Sequence, residues 1–203
     1  MKKRTCLVVT LLTLVIMMGF AMNVEAAEII DRGYCGGEGD GTNLTWTLDR
    51  DGVLVIEGQG MMKDWTGEED YYGSQSTDLH EYSGEIYSVI IRNGVMSIGD
   101  QAFKWCKNIR NVILPKTLTS IGNNAFEYCY KLCSIDLPES LTSIGNAAFY
   151  ECTSLKNIVL PESLTNIGYE SFSNCWSLNN IVMPDTLTSI EDGMFGACFN
   201  LKK

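Results

Sequence analysis

Apolar residues recur along the C-terminal half of the chain at a fixed step of 23 residues. Four apolar positions and one proline position keep this step without an insertion. They are Phe103, Phe126, Phe149, Phe172 and Phe195; Cys106, Cys129, Cys152, Cys175 and Cys198; Val89, Val112, Ile135, Ile158 and Ile181; Ile109, Leu132, Leu155, Leu178 and Leu201; and Pro115, Pro138, Pro161 and Pro184. Such self-similarity predicts coils that bury their apolar faces only by stacking on one another.

One repeat, Leu132 to Ser154, predicts the elements of a coil. Ile135 to Leu137 alternates as a short strand does, and Pro138 ends it because proline has no backbone donor. Gly145 supplies a tight turn, and Asn146 is placed to cap a short helix. The same capping position holds Asp100, Asn123 and Asp192, and the inward helical positions hold Ala148, Phe149, Cys152 and Leu155. The prediction is an α/β, right-handed leucine-rich repeat solenoid of five coils, with a parallel sheet on the concave face and short helices on the convex face.

A hairpin is predicted upstream of the first coil. Leu44, Trp46 and Leu48 alternate with polar residues, Asp49 to Gly52 forms a turn, and Val53 to Ile56 returns. This small N-terminal β-hairpin is expected to cap the open end of the solenoid.

The unit "LPESLTSIGNAAFYECTSL" resembles the BspA-like leucine-rich repeat of bacterial surface proteins over roughly Ile86 to Leu201. The prolines of the 23-residue step stand near the place where the commoner leucine-rich pattern has asparagine. The stretch "LTWTLDRDGVLVIEGQGMMKDW" is similar to the hairpin that precedes these repeats in the family. The resemblance implies a secreted or surface-displayed bacterial protein that adheres to molecules of a host or neighbouring cell, with no catalysis by the repeats. The domains expected are a signal peptide (1–26), a hairpin cap with an acidic loop (27–85) and five repeats (86–203).

The first 26 residues have the features of a secretory signal peptide: a basic start, an apolar run from Leu7 to Met18, and small residues before Ala27. An uncleaved membrane anchor is the alternative, but the apolar run is short for a span of roughly 20 residues. Cleavage would remove three of the 15 basic and one of the 25 acidic residues, which leaves a net charge of −12. So acidic a protein is expected to bind neither nucleic acid nor, after cleavage, a membrane.

Catalytic and metal-binding patterns find little support. The cysteines of the 23-residue step would form a row rather than converge on a metal, and they are interpreted as small buried residues, with disulfides between coils as the alternative. Cys35 and Cys133 lie outside that row, and their redox state stays open. The chain has one histidine, His80, in a polar, acidic loop that lacks the ligand spacing of a calcium loop. No enzyme activity and no cofactor are predicted.

Two surfaces are candidates for binding. On the strand face, an aliphatic row with small polar neighbours has the composition of a binding patch, although a crowded sheet alone also favours such residues. The candidate residues are Ile90, Asn111, Ile113, Ser134, Asp136, Asn157, Val159, Asn180 and Val182. On the convex face, aromatic residues could stack on sugars or pack between adjacent coils. They are Trp105, Tyr128, Tyr130, Tyr150, Trp176 and Phe199.

The sequence therefore predicts a non-catalytic, secreted or cell-surface protein that binds an extracellular protein through the concave strand face. A carbohydrate-binding module that uses the convex aromatics is the alternative, and a structural spacer within a longer surface protein is another. The fifth coil reaches Leu201 without a polar capping repeat. We therefore expect either a longer natural product or tail-to-tail self-association through the strand around Val182.

Overall fold

The structure, a computed structural model, describes residues 27–65, 79–187 and 190–202. The predicted signal peptide and most of the acidic loop lie outside the described residues. Thirteen β-strands are described: β1 (Ile29–Tyr34), β2 (Leu44–Asp49), β3 (Val53–Gly58), β4 (Gly60–Met61), β5 (Ser88–Ile91), β6 (Val95–Ile98), β7 (Asn111–Ile113), β8 (Ser120–Ile121), β9 (Ser134–Ile135), β10 (Ser143–Ile144), β11 (Asn157–Val159), β12 (Asn166–Ile167) and β13 (Asn180–Val182). They build a parallel β-solenoid with strands on two sides of each coil.

The first sheet has the order β1-β2-β3-β5-β7-β9, and β11 and β13 pair with each other further along the solenoid. The predicted hairpin is present as β2 and β3, and it extends the sheet because β3 pairs in parallel with β5, with Leu54 opposite Val89. Its inward residues Leu44, Trp46 and Leu48 are buried. The additional outer strand β1 pairs antiparallel with β2 and was not predicted from the sequence.

A second parallel sheet, in the order β12-β10-β8-β6-β4, lies on another side of the coils and was not predicted. Its central strands place Ile121 opposite Ile144 and Ile144 opposite Ile167, all pointing into the core. Just before these strands, Thr142 donates both its N–H and its Oγ1 hydroxyl to the carbonyl of Thr119 in the preceding coil, at 2.9 and 3.0 Å. Thr165 repeats this pair of bonds to Thr142. The coils are thus joined along this side by side-chain as well as backbone hydrogen bonds.

The short helices predicted for the convex face are absent from the described residues, and that part of the prediction is wrong. A single turn of 3-10 helix at His80–Tyr82 is the only helical element that the described ranges contain. Consecutive turns occupy the place of the helices, and a positive φ recurs at two fixed positions per coil, in non-glycine residues at every one of these positions except Gly193. The non-glycine residues are Gln101, Trp105, Asn124, Tyr128, Ala147, Glu151, Glu170, Asn174 and Ala197. A left-handed residue every few positions is incompatible with a right-handed helix.

The backbone of these turns bonds to the next coil instead of to itself. In the third coil, which contains Phe149, three backbone N–H groups donate to carbonyl groups of the next coil at 2.8–2.9 Å. The donors are Ala147, Phe149 and Glu151, and the acceptors are Tyr169, Ser171 and Ser173. A helix would direct every N–H along its own axis, so this inter-coil pairing explains why residues at helical spacing do not form one. We call this side of the solenoid the turn face.

Asn146 does not cap a helix, which corrects the second part of the same prediction. Its Oδ1 accepts the N–H of Tyr169 in the next coil at 3.1 Å, and its own N–H donates to Asn123 Oδ1 in the preceding coil at 2.8 Å. Asn123 is bonded in the same way to Asp100, at 2.6 Å from N–H to Oδ1. Asparagine and aspartate at this position therefore connect successive coils rather than start a helix.

The core consists of the residues that keep the 23-residue step. The rings of Phe126, Phe149 and Phe172 are fully buried and stack with centroids 5.2–5.3 Å apart and nearly parallel planes. Beside them, the thiols of Cys129, Cys152, Cys175 and Cys198 each donate to a phenylalanine carbonyl of the preceding coil; for Cys152 and Phe126 O the distance is 3.3 Å. Cysteine fits this position because it is small and apolar yet can donate one weak hydrogen bond.

The fifth coil is packed less completely than the others. Ile190 is 64% exposed, whereas its equivalent Ile167 is 3% exposed. The glycine that precedes the turn face in the other coils is replaced by Glu191. At Gly145 a Cβ atom would lie 2.6 Å from Asn123 N, so this position requires close approach of two backbones. The side chain of Glu191 prevents this close approach of the two backbones, and apolar surface of the fifth coil is accordingly left uncovered.

Candidate functional site

The predicted aliphatic row is present on the outer face of the first sheet and of the β11–β13 pair. Parallel pairing places Ile90 opposite Ile113 and Val159 opposite Val182. Val159 is 59% exposed, Val182 48% and Ile113 38%, while Ile90 is half-buried. Removal of apolar side chains of this size from water would be favourable in free energy. The exposed row could therefore be stabilised by contact with another molecule.

A polar row runs beside the aliphatic row at the start of the same strands. Ser134, Asn157 and Asn180 are exposed and Asn111 is half-buried, with Asn111 paired to Ser134 and Asn157 to Asn180. Together with Ile90, Ile113, Val159 and Val182 they form what we call the strand face. Eight of the nine predicted site residues thus lie on one surface, and within each set of paired strands neighbouring strands are about 4.8 Å apart.

Asp136 marks an interruption of the strand face. The β9 strand ends at Ile135, so the exposed carboxylate of Asp136 follows the strand instead of belonging to it. At this point the ladder between β9 and β11 is reduced to a bond from Lys156 N–H to Cys133 O at 3.3 Å. Asp136 therefore places one negative charge in the middle of an otherwise aliphatic row.

The strand face continues into the N-terminal hairpin, which the sequence alone did not indicate. Val55 is opposite Ile90 across the β3–β5 pair, and Thr47 is opposite Val55 across the hairpin. Both side chains are half-buried. The alternation of the hairpin shows which residues point inward, but nothing in the sequence reveals how β3 is aligned with the first coil.

Charged side chains of opposite sign border the strand face. Arg110, Lys131 and Lys156 are exposed at the border that precedes the strands. Glu139, Glu162 and Asp185 are exposed at the border that follows them, one residue after the prolines of successive coils. A partially apolar centre between polar and charged borders is the composition of a protein-binding patch. The borders were not predicted, because their charges are dispersed in the sequence and do not form a run.

Most of the aromatic residues predicted for the convex face pack against one another. The rings of Trp105 and Tyr128 stack at a centroid distance of 3.8 Å, and Tyr150 meets Tyr128 edge-on at 5.8 Å. Burial raises the pKa of Tyr128 to about 12, which fits a ring held between its neighbours. Trp176 and Phe199 remain exposed. The geometry of the first three residues favours inter-coil packing over a free sugar-stacking platform.

The cysteines of the 23-residue step are unbridged thiols, as is the buried Cys35. Burial raises the pKa of Cys106 to about 12 and those of Cys129, Cys152 and Cys175 well above the ordinary value. A protonated, inaccessible thiol is a poor nucleophile and a poor metal ligand. Within residues 27–65, 79–187 and 190–202, no group of three or more potential metal ligands converges.

His80 is part of the packing below the cap. Its Nε2 lies 3.1 Å from the carbonyl of Gln101, and its ring meets Trp65 edge-on with centroids 6.2 Å apart. Burial lowers the pKa of this imidazole, which keeps it neutral at physiological pH. The described part of the chain also contains no helix long and apolar enough to cross a membrane.

Comparison with known proteins identifies the repeat. The description "BspA type Leucine rich repeat region" matches residues 76–202 in six copies. Among solved structures, a leucine rich repeat protein of T. pallidum is 27% identical, with a TM-score of 0.59, and the match covers 81% of this chain and 79% of that one. A leucine-rich repeat protein from Bacteroides ovatus is 29% identical, with a TM-score of 0.58 over 79% of this chain. No curated protein is significantly similar to the chain.

A leucine rich cell surface protein from Faecalibacterium prausnitzii shares the fold, at 23% identity and a TM-score of 0.53 over 81% of this chain. The chain spans 45% of the Bacteroides protein and 53% of the Faecalibacterium protein. None of these matches indicates an enzymatic family.

Proposed function

Because the chain belongs to the BspA-type leucine-rich repeat family, we propose that it is a secreted or cell-surface adhesion protein that binds an extracellular protein through its strand face. The similarity to a protein described as a cell surface protein and the predicted signal peptide support an extracellular location. The general role of an interaction repeat follows from the family; the choice of surface and of partner is our proposal.

The observation that carries the proposal is the exposed aliphatic row. Val159 and Val182 are adjacent in register and both about half exposed, whereas the inward Ile158 beside Val159 is buried. Exposed valines beside a polar row and charged borders match the core and rim of a protein interface. The row also crosses several coils, so a partner would contact many repeats at once without disturbing the core.

The experiment compares binding of the wild type and two variants to an array that carries purified extracellular-matrix proteins on one field and glycans on another. The Val159→Lys/Val182→Lys variant places two charges in the row. The control is Met96→Lys, because Met96 is similarly exposed on the outer face of the second sheet. We expect binding to at least one protein, loss of that binding in the double variant, and retention in the control.

Two results would contradict the proposal. Equal binding by both variants would show that the strand face is not used. Binding only to glycans would favour the carbohydrate-binding alternative, in which the exposed rings of Trp176 and Phe199 would be the first residues to test.

A further inference from the structure

The border that precedes the strands concentrates positive charge on an acidic protein. Lys107, Arg110, Lys131 and Lys156 are all exposed there, on three successive coils. Among the described residues, none of these four lies within ion-pairing distance of a carboxylate; the cations that do are Arg50, Arg92 and Lys104. We call these four residues the basic border. Its charge is therefore available to an anion from solution.

Two of these cations are held in defined positions. Lys131 Nζ donates to Asn108 Oδ1 at 2.6 Å, and Asn108 Nδ2 donates in turn to Gly84 O in the preceding coil at 2.7 Å. Lys107 Nζ lies 5.0 Å from the ring centroid of Trp105, within cation–π distance. Ordering these side chains before a ligand arrives reduces the entropy that binding costs.

An aromatic ring adjoins the cations. Tyr87 is 45% exposed and occupies the position of Arg110 in the neighbouring coil, with Arg110 N–H bonded to Tyr87 O at 2.9 Å. The ring edge of Tyr87 lies against Gly52, where a Cβ atom would collide with it. The ring is thereby supported from below while nearly half of the residue stays accessible.

Cations beside an exposed aromatic ring match the chemistry of an acidic sugar. Guanidinium groups bind carboxylate and sulfate oxygens in a fork geometry, and aromatic rings pack against sugar rings. We propose that the basic border binds a linear acidic polysaccharide, whose anionic groups contact Arg110 and Lys131 while a sugar ring packs on Tyr87. This site adjoins the strand face, whose rim the basic border forms, but it takes a different ligand, so it does not depend on the proposed function.

The remaining charges limit which polyanion fits. Glu85 is exposed two residues before Tyr87. Burial raises the pKa of Tyr130, which precedes Lys131, and the nearby, half-buried Glu151 raises it further. The mature chain would carry a net charge of −12. The four cations extend over three coils, about 10 Å along the solenoid. A nucleic acid would require a longer positive track along its phosphates. A short segment with one or two anionic groups per sugar meets the cations without approaching the acidic surroundings.

Binding of the purified protein to immobilised heparin, measured by surface plasmon resonance, tests the proposal. Arg110→Glu/Lys131→Glu should weaken binding by about tenfold or more, since it reverses two contacts with the same polymer. Tyr87→Ser should weaken it by a smaller factor through loss of the ring. The matched control is Lys116→Glu, an exposed cation at the opposite border. Its affinity should stay within about twofold of the wild type.

The flanking carboxylate offers a test in the opposite direction. Glu151→Gln removes a charge beside the site and should strengthen heparin binding, an effect that salt should reduce. The proposal would be overturned if the wild type did not bind heparin, if the double charge reversal left the affinity unchanged, or if polyglutamate or single-stranded DNA competed as well as heparin does. The strand-face variant Val159→Lys/Val182→Lys adds positive charge beside the basic border and should not weaken heparin binding, so a failure of one proposal is distinguishable from a failure of the other.

Discussion

Raising the pH above 9 should destabilise the protein steeply, because its thiols are buried. Burial raises the pKa of Cys35 and Cys106 from the ordinary value of 9.0 to about 12, and it raises the pKa of Cys129, Cys152 and Cys175 well above 9.0. Above pH 9 the unfolded chain releases protons that the folded state retains. The free energy of unfolding is therefore unaffected by these groups below pH 9 and falls as the pH rises towards 12.

The expected magnitude is large relative to the stability of a single domain. At pH 10 each thiol whose pKa rises from 9.0 to about 12 lowers the free energy of unfolding by roughly 1.4 kcal/mol, so Cys35 and Cys106 together lower it by roughly 3 kcal/mol, and the other three buried thiols add to this. Typical domains have about 5–15 kcal/mol in total. A reduced, otherwise intact protein should consequently be clearly less stable at pH 10 than at pH 8.

Urea unfolding of the reduced protein between about pH 8 and pH 10 measures this effect, and the slope counts the protons involved. Cys152→Ala should reduce that slope by the contribution of one thiol. Ser154→Ala, which changes a half-buried hydroxyl two residues away, should not. A free energy of unfolding that stays constant up to pH 10 would show that the thiols are already ionised or exposed in the folded state. It would contradict the conclusion that they are buried and protonated in the core.

Three further predictions test other parts of the structure. Phe149→Ala should lower the free energy of unfolding by about 3–5 kcal/mol, because the ring is fully buried between two other phenylalanine rings. Urea unfolding would show this as a lower midpoint. Gly145→Ala should lower the free energy of unfolding by about 1–3 kcal/mol, because the new Cβ atom would collide with the backbone of the preceding coil. Gly84→Ala, where a Cβ atom meets nothing within 4 Å, should leave the stability nearly unchanged, and equal effects of the two substitutions would contradict the close packing at Gly145. If the chain dimerises through its last strand, Val182→Lys should weaken the dimer in light scattering while Thr47→Lys on the hairpin should not, and a wild type that stays monomeric at high concentration would refute the idea.

The sequence predicts the repeat, its inward residues and the first sheet, because each is carried by side-chain type at a regular step. Phe149, Cys152 and Leu155 are buried as expected, and the alternation of Leu44, Trp46 and Leu48 gives the hairpin. These residues lie inside because burial depends on their size and polarity, which can be read from the chain directly.

The turn face could not be predicted for a physical reason. Spacings of three and four residues fit both a helix and a series of turns. The left-handed residues that exclude a helix include Trp105, Ala147 and Glu151, and nothing in these residue types indicates a positive φ. What selects the turns is pairing with backbone groups one coil away. The second sheet was missed for a related reason: two-residue strands such as Ser143–Ile144 are too short to show a period. The sequence located the candidate strand face, since alternation assigns its outward positions, but not its charged borders or its extension to Val55.

The fifth coil departs from the others through its own residues as well as through its position. Tyr169 stands where the preceding coils have Asp100, Asn123 and Asn146, so it lacks the side-chain oxygen that would accept the N–H of the next coil. Glu191 replaces the glycine that allows neighbouring backbones to approach closely. Two of the contacts that join the earlier coils are thus lost at the same junction. In a solenoid stabilised by contacts between nearest neighbours, this junction should open before the central coils separate. Beside the junction lies apolar surface that a further coil or a second copy of the chain could cover.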